Sequence, residues 1–184
     1  MHAWKHFVTI TAHRMRVLQG CFRVGLYRQG LTHDLSKYSP AEFWRGARYY
    51  QGTRSPNAQE REEKGYSEAW MHHKGRNRHH YEYWSDLNPN THRYEPVQMP
   101  RRYLAEMVMD RRAACMTYLG GKYHPGAELE YLEKSKESAL MHPETQRELR
   151  YILTMLKEKG EDAAFRYIRE SVLKGKPFPW EEKG

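Results

Sequence analysis

The chain has 184 residues, 39% hydrophobic and 29% charged, with 31 Lys and Arg against 23 Asp and Glu and a formal charge of +8. That length supports one domain with its own core, the composition fits the soluble globular class, and no apolar run nears the roughly 20 residues that cross a bilayer. A basic balance favours anionic partners, from phosphate esters and nucleotides to nucleic acid, and is silent on the fold.

The N-terminus lacks the apolar region of a signal peptide. Cys21 and Cys115 are the two cysteines and show no metal-type spacing. Reduced thiols, a cytoplasmic location and no membrane partner are therefore expected.

Residues 2–25 read as an amphipathic helix, because His6, Ile10, His13, Val17 and Val24 recur at steps of three, four and seven. His6 and His13 then point the same way. Gly25 and Gly30 bracket a turn or irregular link. A short helix carrying His33, Asp34 and Lys37 follows and stops before Pro40. Ser39-Pro40-Ala41-Glu42 reads as a capping box that opens a helix to about Tyr50. Residues 52–65 hold the charge run Glu60-Arg61-Glu62-Glu63-Lys64 and read as a surface loop or short exposed helix. A helix over 67–73 is broken by Gly75 and Asn77.

Residues 85–100 contain Pro89, Pro96 and Pro100 and read as a loop. A helix over 101–119 ends at Gly120 and sets Asp110 beside Met107 and Ala114 on its apolar side. After a variable loop, a helix runs from Pro143 to Lys159 with Gly160 as its stop. A last amphipathic helix covers 161–173, and 174–184 is expected to be a poorly ordered tail. No segment alternates with period two. The expected fold is all-α: one compact domain over 1–173, built from six or seven helices.

His33 and Asp34 are adjacent, so on one helix they would sit about 100° apart. They can converge on a point near a helix end, such as a metal ion, for which imidazole and carboxylate are good ligands. Asp110 is costly to bury unless paired or metal-bound; its ordinary partner would be Arg14, Arg16 or Lys37. His13 alone reads first as a satisfied core histidine. His72, His73, His79 and His80 form the densest histidine cluster, from which at least one ligand is expected. Lys74, Arg76 and Arg78 interleave with it and suit a phosphate, or form a solvated basic loop. Lys37 would orient a phosphate or pair with Asp34. There is no nucleophile elbow, P-loop or dinucleotide fingerprint.

In this order, a helix histidine, His-Asp, a histidine cluster and a helix aspartate, the chain resembles the HD superfamily of metal-dependent phosphohydrolases. The resemblance rests on His13, on Leu31-Thr32-His33-Asp34-Leu35-Ser36-Lys37 and on Asp110. More narrowly, the chain resembles bacterial and phage proteins without an assigned function. These share Gly30-Leu31-x-His33-Asp34-Leu35-Ser36-Lys37-x-Ser39-Pro40, Tyr50-Gln51-Gly52-x-x-Ser55-Pro56 and the run from Ala69-Trp70 through His72-His73-Lys74-Gly75-Arg76-Asn77-x-His79-His80 to Tyr83-Trp84. The likeness covers most of residues 4–120.

The resemblance implies an HD-like fold and one or two divalent metals (Fe, Mn, Zn, Ni or Mg). Ligands would come from His13, His33, Asp34, the His72/His73/His79/His80 cluster and Asp110. It implies hydrolysis of a phosphate ester, a nucleotide among the candidates, with Asp34 and Lys37 catalytic and Lys74, Arg76 and Arg78 on the phosphate. His13 precedes His33 by only 20 residues, shorter than in many HD enzymes, which leaves His6 as the alternative first ligand. Two further readings stay open: a di-iron oxygenase on an HD-like fold, as in myo-inositol oxygenase, and a basic nucleic-acid-binding protein without catalysis.

Overall fold

Helix α1 (Ala3–Val24) buries His6, Ile10, His13, Val17, Cys21 and Val24 along one face, the face its periodicity predicts. It ends at Gly25, whose φ of 88° favours a residue without Cβ. A computed structural model describes residues 2–135 and 140–181. After α1 come α2 (Tyr27–Thr32), a 3-10 turn (Leu35–Tyr38), α3 (Pro40–Tyr49), α4 (Pro56–Lys64) and α5 (Glu68–Lys74). Then come strands β1 (Ser85–Leu87) and β2 (Tyr94–Pro96), and helices α6 (Arg101–Leu119), α7 (Ala127–Lys134) and α8 (Pro143–Tyr167). Among the described residues the fold is all-α apart from that one antiparallel hairpin.

Helices α1, α6 and α8 enclose the core. Val17 and Val24 of α1 pack with Leu104 and Val108 of α6 and with Ile152 and Leu156 of α8. Each such buried side chain contributes about 1.5–3 kcal/mol from burial. Gly20 lets α1 approach α6 closely, since a Cβ there would lie 2.7 Å from Met109 Sδ. This fixes α1 against α6, the two helices that bring His13 and Asp110 together. Among the described residues no helix is long and apolar enough to cross a membrane.

Several local expectations change. The link after Gly25 is helical, and α2 ends at Thr32, so His33 and Asp34 lie in the junction after a helix and not within one. Arg14 holds this junction, its guanidinium donating to the carbonyls of His33 (2.7 Å) and Leu31 (3.0 Å). The capping box does not form: Ser39 makes no side-chain cap bond, and the Glu42 carboxylate is engaged by histidines. The proline-rich stretch forms the hairpin, although all but one of its strand residues are exposed.

The stop expected at Gly160 holds: its backbone (φ 78°, ψ 175°) is not helical, so α8 consists of two helical segments that meet at a kink there. The tail beyond 173 packs against the domain: Phe178 is fully buried in the core and stacks on Trp180 at 4.8 Å. Two aromatic rings supply apolar area that the polar flanks hide in the sequence. Residues 136–139 of the variable loop and 182–184 of the tail lie outside the described residues.

Candidate metal centre

The centre is built around Asp34, which is fully buried and has a left-handed φ of 52°. That conformation is uncommon for a residue with a Cβ but tolerated by aspartate. It turns the carboxylate so that its two oxygens face different groups. Oδ2 lies 3.2 Å from His33 Nε2 and 3.7 Å from His13 Nε2. Oδ1 lies 3.2 Å from His73 Nε2 and 3.4 Å from His79 Nε2. From α6, Asp110 Oδ1 reaches His13 Nε2 at 3.0 Å and His33 Nε2 at 3.5 Å.

Two ligand groups result. One comprises His13, His33, Asp34 and Asp110; the other Asp34, His73, His79 and His80, and in each the candidate ligand atoms lie within 4.8 Å of one another. Two ligands bonded at roughly 2.1 Å to one cation, at tetrahedral or octahedral angles, sit about 3.0–3.4 Å apart. The observed separations are close to that.

The residues fit a bound cation on two further counts. The Nε2 atoms of His13, His33, His73, His79 and His80 are buried without a hydrogen-bond partner. Buried polar atoms are normally satisfied, and here five orphaned nitrogens sit in one cluster, against carboxylate oxygens. In addition, the Nδ1 atoms of His33, His73 and His79 face carboxylates. Glu106 Oε1 accepts from His33 Nδ1 at 3.0 Å and lies 3.1 Å from His79 Nδ1. Glu42 accepts from His73 Nδ1 at 2.8 Å and His72 Nδ1 at 2.6 Å. A carboxylate on Nδ1–H fixes the tautomer that presents a bare Nε2 lone pair, as metal-binding histidines require. Glu106 with His33 and His79 also forms a compact triad. Its contacts are to the Nδ1 atoms, so Glu106 orients these rings and does not share their Nε2 target.

Charge points the same way. Asp34, Asp110, Glu42 and Glu106 set four carboxylates against the one ammonium of Lys37, which lies 2.6 Å from Asp34 Oδ2. Uncompensated negative charge is expensive in a buried site. Burial pushes the Asp34 carboxyl up, but the His33 and Lys37 charges hold it well below the usual carboxylate range. Burial alone would lower His33, yet the Asp34 charge raises it well above an ordinary histidine, and His73 is raised in the same way. His80 is driven well down by burial and by the neighbouring His79 and His73. His13 is lowered by burial and by Lys37. Protons on imidazoles compensate the acids, and a cation bound there would displace them.

The polypeptide explains which histidines arrive. Ser67 Oγ accepts from Trp70 N and caps α5, whose inward face carries His73. The helix stops at Gly75, and Asn77 folds back to donate to the His73 carbonyl at 2.8 Å and to Ser36 Oγ at 2.9 Å. This turn returns the chain so that the His80 ring lies 4.8 Å from His73 and 4.1 Å from His79.

Some expectations do not hold. His72, about 100° around α5 from His73, is a quarter exposed beside Glu42 and belongs to neither ligand group. His6 also stays outside: its ring packs between Phe43 and Tyr50, against Gly46. Lys74, Arg76 and Arg78 do not line the cleft. Arg76 donates to the His72 carbonyl, and Arg78 lies over Tyr83 and Tyr103. Their turn carries histidines inward and cations outward.

The centre opens into a cleft of about 860 Å³ whose lining includes Lys37, Tyr50, Arg54, Arg61, Trp70 and Tyr118. Arg54 is braced by both oxygens of Glu62, and Arg61 stands over the Trp70 ring at 5.5 Å. The sequence reading misses Glu42 and Glu106. Glu106 had a signal, lying one turn before Asp110 on the same helix face; the capping-box pattern concealed Glu42.

A family model matches residues 2–155 and is described as a family of unknown function, DUF5662. The chain belongs to this family. No curated protein and no solved structure matches it. Membership spans every residue of the centre, from His13 to Asp110.

Proposed function

We propose that the protein is an HD-type hydrolase of phosphate esters, nucleotides among them, that holds two divalent cations bridged by Asp34. The observation that carries this reading is the pair of ligand groups sharing one buried carboxylate, with orphaned imidazole nitrogens around it. The order of the ligands along the chain, with His33-Asp34 inside Leu-x-His-Asp-Leu-x-Lys, supports the HD assignment. His13, His33, Asp34 and Asp110 would hold one ion; Asp34, His73, His79 and His80 the other. A donor set this rich in imidazole favours Fe, Zn or Ni over Mg.

When bound, such ions lower the pKa of water towards neutrality and polarise a phosphoryl oxygen. The chain supplies the rest. Lys37 balances Asp34 at rest and stands at the cleft wall, where its ammonium would meet charge developing on a phosphoryl group. Arg61, beside Trp70, would bind the phosphate, and Trp70, Tyr50 and Tyr118 would bound the organic part of the ester.

The test is phosphate release from a panel of nucleotides and simple phosphomonoesters by chelated and Mn-reloaded protein. We expect release to need metal and to fall by at least two orders of magnitude in His33→Ala and Asp34→Ala. Metal-loaded protein that consumes oxygen and releases no phosphate would favour an oxygenase. Binding of nucleic acid that survives chelation and weakens steeply with salt would favour the non-catalytic alternative.

A further inference from the structure

Both ligand groups meet at Asp34, but they are joined a second time, behind the rings. His33 belongs to one group and His79 to the other. Their Nδ1 atoms converge on the same oxygen, Oε1 of Glu106, at 3.0 and 3.1 Å. The two rings lie 4.3 Å apart, tilted by 37°, so neither can turn without disturbing the other. Glu106 is buried on α6, four residues before Asp110, and is therefore held by the same rigid helix that supplies a ligand. Glu42 is arranged differently. Its oxygens serve His73, which belongs to one group, and His72, which belongs to neither.

We infer that Glu106 is a positioning residue that ties the two halves of the centre together, so that orienting one half orients the other. The inference rests on the two-cation reading. A cation that fixes His33 fixes the Glu106 carboxylate through the Nδ1 hydrogen bond. That carboxylate then holds His79 in the tautomer and orientation the second cation needs. Ordering done once is not repeated, which favours the second binding step. Glu42 orients His73 alone among the ligands, so its influence stays within one half.

The experiment is a Mn²⁺ titration of the full chain, following both binding steps by calorimetry and the bound Mn²⁺ by electron paramagnetic resonance. Wild type should take two ions per chain and show the signature of a coupled pair. Glu42→Ala should weaken one step by about 10–100-fold and leave the other unchanged. Glu106→Ala should weaken both steps, each by about 10–100-fold. Glu106→Gln keeps a carbonyl oxygen for the two N–H groups and should recover part of the loss; it also serves if the alanine variant does not fold. A purely structural role would lower the metal-free melting temperature and leave both affinities intact in the folded variant. Glu106 variants that weaken one step only, or neither, overturn the coupling while leaving the two-cation centre standing. A wild type that binds no Mn²⁺ overturns both.

Discussion

His6 and His13 share one face of α1, yet their surroundings separate them. His13 faces Asp110 and Asp34; His6 packs against Phe43, Tyr50 and the backbone at Gly46. Periodicity places both inward and cannot distinguish them, because the difference lies in what α3 and α6 present opposite. The same limit hides Glu42 and Glu106, whose partners are 31 and 73 residues away along the chain. By contrast Asp110 is legible, since a carboxylate on an apolar face demands a partner, and His33 and Asp34 are legible because adjacent imidazole and carboxylate groups suit one cation. Burial, with Lys37 adding to it, lowers the His6 pKa to about 4. Its unfolded value is near 6.5, so folding favours the neutral ring. That contribution is complete above about pH 6.5 and is lost as the pH falls towards 4. The urea midpoint of metal-free wild type should therefore drop between pH 7 and pH 5 more than that of His6→Phe. An equal drop in both proteins would contradict this.

Among the elements, the α5 turn and the α1–α3 contact do most to position the centre. The sequence announces the break at Gly75 and Asn77. It does not announce that Asn77 would bond back to His73, because that needs Ser36 close by from the other side. Helix α2 was missed for a related reason: glycines at both ends read as punctuation, while Gly30 is in fact packed against Cys21 and Leu18 of α1. Gly46 plays the corresponding role in α3. A Cβ there would collide with His6 Nε2. Gly46→Ala should destabilise the protein by about 1–3 kcal/mol, despite alanine's better helix propensity. In a His6→Ala background the same change should be neutral or stabilising. Denaturation of the four proteins of this cycle checks it, and an equal cost in both backgrounds would rule out the contact as the cause.

At the scale of the molecule, the all-α class and the long helices α1, α6 and α8 follow from periodicity and capping signals that the tertiary structure respects. The C-terminal segment escapes such reading because long-range packing stabilises it, and the hairpin because its exposed strands are only three residues long, too short to show alternation. Phe178 is fully buried in the core, between Tyr151 and Tyr167 and beneath the Arg101 guanidinium. Phe178→Ala should cost about 3–5 kcal/mol and leave metal stoichiometry unchanged, since the tail lies apart from both ligand groups. Thermal melts and metal analysis of the same preparation test this. A variant of wild-type stability would mean that the tail is not part of the core.

The central claim is that residues from α1, the His33-Asp34 turn, the α5 turn and α6 enclose two cations about Asp34. Crystals of metal-reconstituted protein, with anomalous difference maps collected across the metal edges, test it most directly. The account predicts two peaks, each about 2.0–2.3 Å from its imidazole Nε2 atoms, with one oxygen of Asp34 on each. Maps with no peak in this cluster, or with metal only at exposed histidines such as His92 or His124, would contradict it.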